Sequence, residues 1–218
     1  VVSEGAKGTR NSVSPPVRLV IGISVSSWSL ASTALAQRIN FSTWTGSEEI
    51  TINPVLANPN LNFNLKKAAI SANSPAVTIN LVDNQSVGFQ IQAPDGYDLT
   101  VEVDAPTYLS LDGVGSAPEE MVPFRLGIAY NNQAAPDELA AKANAVELPL
   151  GFYNVTFPVN RRMAGVPGPP PTPSSGTYVR PKSTAWLFLY GELGPVGPVN
   201  AGDYLADITI NVYFTSND

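Results

Sequence analysis

Residues 202–214 read GDYLADITINVYF. Side chains of a strand alternate between its two faces, so Tyr204, Ile208, Ile210, Val212 and Phe214 share one side. Asp203, Asp207, Thr209, Asn211 and Tyr213 share the other. An apolar row backed by a polar one predicts a half-buried strand of an antiparallel sheet. Just upstream, residues 183–193 (STAWLFLYGEL) are apolar on both faces, with Trp186, Phe188 and Tyr190 opposite Ala185, Leu187 and Leu189. That pattern predicts a central strand buried on both sides.

The same alternation recurs upstream. Val77, Ile79 and Leu81 precede Asp83-Asn84-Gln85-Ser86, and Val87, Phe89 and Ile91 follow, which predicts a hairpin with a loop of about four residues. Pro94-Asp95-Gly96 predicts a turn, then Leu99, Val101 and Val103 a strand, with further strands at 108–112 and 124–130. Shorter strands are predicted at 37–45, 48–52 and 61–65. Residues 146–159 predict a strand near a sheet edge, because Pro149 and Pro158 have no N–H for a central ladder. One helix is predicted, Pro136 to about Ala145, with acidic residues at its positive end and an Ala-rich body. Residues 160–182, with the run PGPPPTPSSG, read as a long exposed loop. Many strands, regular turn signals and a single helix predict an all-β sandwich or barrel.

At 218 residues the chain has the length of one domain, or of two small ones. Its 44% hydrophobic and 14% charged content is that of a globular protein. A net charge of −6 provides no basic footprint for nucleic acid. The chain contains no His and no Cys, which excludes Ser-His-Asp and Cys-His catalysis, thiolate or imidazole metal sites, and disulfides. No cofactor is expected. The adjacent pairs Glu48/Glu49, Glu119/Glu120 and Asp137/Glu138 are the nearest approach to paired carboxylates of a hydrolase. Neighbouring strand residues point to opposite faces, so these pairs read as solvated charges, and the chain is read as a non-enzyme.

Residues 1–36 carry Lys7, Arg10 and Arg18, then LVIGISVSSWSLASTALA, ending in Ala34-Leu35-Ala36. These are the parts of a secretory signal peptide cleaved after Ala36, leaving a single domain over 37–218 with no membrane span. The alternative is a retained apolar strand or helix. Signal cleavage would place the mature chain in the periplasm, at the cell surface or outside the cell.

The stretch WLFLYGELGPVGPVNAGDYLADITINVYF resembles the C-terminal strand pair of spore coat protein U domains and archaic chaperone–usher pilins. Its Tyr190-Gly191, Ala201-Gly202, Tyr204, Asp207 and the alternating row to Phe214 carry the likeness over about thirty residues. The family's usual cysteine pair is absent. The resemblance implies an Ig-like sandwich secreted by way of a chaperone and joined to copies of itself, or to other surface subunits, by donor-strand exchange. It implies a donor strand in Gln37–Thr45, with Ile39 and Phe41 filling the groove, and an acceptor strand carrying Tyr204, Ile208, Ile210, Val212 and Phe214. The rival expectation is a carbohydrate-binding sandwich, with Trp44, Tyr97, Tyr108 and Tyr178 as candidate sugar platforms.

Overall fold

A computed structural model describes residues 17–26 (backbone only), 50–67, 70–95, 97–160 and 181–215. In chain order the strands are β1 (Val17–Ser26), β2 (Thr51–Pro54), β3 (Leu61–Asn62), β4 (Val77–Ile79), β5 (Val87–Pro94), β6 (Asp98–Asp104), β7 (Tyr108–Leu111), β8 (Met121–Asn131), β9 (Val146–Glu147), β10 (Asn154–Pro158), β11 (Lys182–Leu193) and β12 (Asp203–Phe214). One α-helix, α1 (Glu138–Ala143), lies between β8 and β9. The fold is an all-β, largely antiparallel sandwich, as the strand pattern predicts.

β12 and β11 organise one sheet each. In sheet A, β12 is flanked on one edge by β6 and β7 placed end to end, and on the other by β1. β10 borders β6, and β3 adds a short parallel contact to β1. In sheet B, β11 lies between β8 and the β4/β5 line, with β2 beyond β5 and β9 beyond β8. β8 belongs to both: Met121–Pro123 pair with β7, and Phe124–Asn131 pair with β11. The row on β12 turns inward as its alternation requires, with Tyr204, Ile208, Ile210 and Val212 buried and Phe214 half-buried. On β11, Ala185 through Tyr190 are all buried, so the doubly apolar strand is central.

The hairpin predicted over 76–91 does not form. β4 and β5 both pair with β11, Val77–Ile79 against Leu193–Gly191 and Val87–Pro94 against Leu189–Lys182. They are one interrupted strand, because β11 is long enough to carry both along a single edge. Residues 80–86 loop out between them, closed by Ser86 Oγ on the carbonyls of Leu81 and Asp83. The Asp83 carboxylate accepts from Lys66 Nζ (2.6 Å) and from the Asn80 N–H (2.7 Å), and these bonds, Lys66 first, hold it below the ordinary aspartate range. A lowered carboxylate pKa contributes stability above the unfolded value of about 3.9, lost as pH falls through the folded value. Solvent screens the ion pair, so Asp83→Asn should cost only about 1 kcal/mol at neutral pH. It should also flatten the loss of stability below about pH 4 in urea titrations; an unchanged acid limb would show that the carboxylate does not matter there.

Two smaller departures have local causes. The helix starts later than predicted, because Asp137 caps it by accepting from the Ala140 N–H (2.8 Å) and leaves Pro136 outside. The predicted strand 146–159 splits into β9 and β10, with a turn closed by Phe152 N–H on the Pro149 carbonyl. β10 forms an edge of sheet A, as Pro158 within it requires.

Candidate functional site

Two features of the surface are built well enough to hold something: the outer edge of β12, and a pocket where the two sheets meet.

The edge of β12 is occupied along ten residues. β1 runs antiparallel to it from Val17↔Val212 to Ser26↔Asp203, and Ile23-Ser24 pair in parallel with Leu61-Asn62 of β3. An N-terminal segment therefore fills a slot bounded by the last strand and by β3. Perpendicular to this ladder, the row Tyr204, Ile208, Ile210 and Val212 enters the core. The predicted donor stretch 37–45, with Ile39 and Phe41, lies outside the described residues.

The pocket lies at the end of the sandwich where β8 passes from one sheet to the other, and it has a volume of about 620 Å³. Tyr108 and Pro123, cross-strand partners in the β7–β8 ladder, form one side, topped by Pro118 and Glu119. Pro195 and Pro198 of the β11–β12 loop form the other. That loop is held by backbone bonds along its length: Gly194 N–H to the Pro123 carbonyl (2.7 Å), Val196 N–H to that of Ser74 (3.0 Å) and Asn73 N–H to that of Gly197 (3.1 Å). Asn200 N–H donates to the Glu119 carbonyl (2.8 Å), joining the two sides directly. The Tyr204 hydroxyl reaches the carbonyls of Asn200 (2.7 Å) and Glu119 (3.2 Å), so the buried row of β12 braces the pocket from beneath. Burial, then the nearby charges of Glu120 and Asp112, pushes the Tyr204 phenol above its ordinary pKa, so it stays a neutral donor.

Comparison with known protein families, with curated proteins and with solved structures finds no match for this chain.

Of the predicted sugar platforms, Trp44 and Tyr178 lie outside the described residues. Tyr97 and Tyr108 are both partly exposed, at 41% and 47%. They do not share a surface patch: Leu99, two residues after Tyr97, pairs with Phe214, whereas Ser110, two after Tyr108, pairs with Leu205. Nine strand positions separate those levels, roughly 30 Å. Tyr97 lies against the Phe214 ring at 4.9 Å between centroids, whereas Tyr108 lines the pocket.

Of the paired carboxylates, Glu120, Asp137 and Glu138 have structural partners. Glu120 accepts from the Ser116 and Ala117 N–H groups and caps a 3-10 turn, and Glu138 pairs with Lys142 one helical turn on (2.7 Å). Glu48 and Glu49 lie outside the described residues. Among the described residues no helix is long and apolar enough to cross a membrane.

Proposed function

We propose that the protein is a secreted structural or adhesive surface subunit, assembled by exchange of an N-terminal strand between copies. One observation carries this reading: the edge of β12 is completed by a ten-residue antiparallel strand drawn from the N-terminal segment. A sheet edge of this length presents unpaired N–H and C=O groups, and its natural complement is another extended segment.

In this reading Val17–Ser26 leaves with the signal segment when cleavage follows Ala36. The slot between β12 and β3 then stands open until Gln37–Thr45 of a neighbouring copy enters it, with Ile39 and Phe41 facing the core. A secretion chaperone would cover the edge in the interval, because an open apolar edge aggregates. The reading is supported by the signal-like pattern of residues 1–36 and by the C-terminal resemblance; β1, drawn from within residues 1–36, forms the strand that the alternative of a retained segment expects, and the reading requires that cleavage remove it.

Three chains test it by electron microscopy and size-exclusion chromatography. The chain starting at Gln37 should form filaments, and the one starting at Gly46 should not. The full chain, with its edge already filled by β1, should stay monomeric. Filaments that persist without residues 37–45, or a stable folded monomer from Gln37 onward, would rule out donor-strand assembly.

A further inference from the structure

We infer that the pocket at Tyr108 binds an uncharged sugar ring of a glycan. The inference rests on the chemistry of the walls and is independent of strand exchange.

The pocket's volume, about 620 Å³, falls in the range of small-ligand sites, roughly 300–1,000 Å³. It is also preformed, since backbone bonds from Gly194, Val196 and Asn200 hold the β11–β12 loop against its surroundings. A ligand therefore meets a fixed shape and loses little affinity to ordering of the loop.

The walls select by apolar contact and by charge. Pro118, Pro123, Pro195 and Pro198 offer no N–H, and the Pro123 carbonyl is already taken by Gly194, so the walls, with Met121 and Val199, are mainly apolar. Among the described residues that line it, Glu119 is the charged one, and it is exposed. None of them is Lys or Arg, so an anionic ligand would find among them nothing to neutralise it and a carboxylate to repel it. The complementary ligand has a hydrogen-bond donor for Glu119, carries no negative charge and has an apolar face to lay on the half-exposed Tyr108 ring. A pyranose matches on each count: its hydroxyls donate and its C–H face stacks. A proline-rich peptide fits worse, because it lacks donors and would cover Glu119 without bonding it.

The test is titration of the full chain with neutral gluco-, galacto- and manno-oligosaccharides, followed by saturation-transfer NMR. At least one should show transfer to its ring C–H protons. Tyr108→Ala should weaken that binding about tenfold, while Tyr108→Phe, which keeps the ring face, should stay within about threefold. Glu119→Gln, which keeps an acceptor but loses the charge, should weaken it several-fold. Thermal melts of each variant should match the parent, since both side chains are exposed. Three results would overturn the inference: no neutral oligosaccharide binding at about 10 mM, binding indifferent to Tyr108→Ala, or binding confined to amine-bearing ligands and abolished by salt. The last would mean that Glu119 holds a cation. Filament formation plays no part in this readout, so the sugar site and the assembly reading can fail separately.

Discussion

Replacing Tyr204 by alanine will lower the unfolding free energy by about 4 kcal/mol, a large fraction of what a domain of this size commonly has. Tyr204 is among the largest fully buried side chains, 1% exposed. Its removal forfeits the transfer free energy of an aromatic ring and leaves a void that rigid β-ladders cannot close. Its hydroxyl also ties the carbonyls of Asn200 and Glu119 together beneath the pocket. Tyr204→Phe keeps the ring and removes only that link, so it should cost about 1 kcal/mol. Urea denaturation of the two variants, followed by tryptophan fluorescence, separates packing from hydrogen bonding. A loss below about 2 kcal/mol for the alanine variant would mean that the core around β12 relaxes more readily than its burial implies.

The second large effect is at Gly191. This residue sits inside β11 between two ladders, opposite Ile79 on one side and Leu126 on the other. A Cβ built there would stand 2.5 Å from the Arg125 carbonyl oxygen and 3.1 Å from the Phe124 ring. The nearer atom is backbone in the neighbouring strand, so it cannot rotate away, and the strands must part. Gly191→Ala should cost about 3 kcal/mol and lower the melting temperature by about 6–12 °C. Gly197→Ala is the control, since a Cβ at that position meets nothing within 4 Å. Calorimetry that finds Gly191→Ala and its control melting together would refute the steric argument.

Much of the fold was legible because it is written as periodicity. The single apolar row of β12 and the doubly apolar β11 identify a half-buried and a central strand before any contact is known. Pairing was less legible. Val77–Ile79 and Val87–Pro94 look like two arms of a hairpin because alternation specifies faces but not partners, and the length of β11 decides that both lie along one edge. The pocket was largely hidden for a related reason. Pro118, Pro123, Pro195 and Pro198 read locally as strand breakers, and only the tertiary meeting of two distant loops makes them a lining. Tyr108 was nameable as an aromatic at a strand start, but its separation from Tyr97 depends on the register of both against β12.

The position of β12 in the chain has a consequence for the order in which the sandwich can close. Every strand of sheet B lies before residue 194, so its ladders can all form while the C-terminal segment is still being made. Sheet A differs, since β6, β7 and β1 each form a ladder with β12, which joins them in one sheet. Val17 and Val212, partners across that ladder, lie about 195 residues apart in sequence, so joining them closes a long loop. The half of the molecule proposed to exchange strands is thus the half that must wait until β12 has been made, and β1 has that whole interval in which to find another partner.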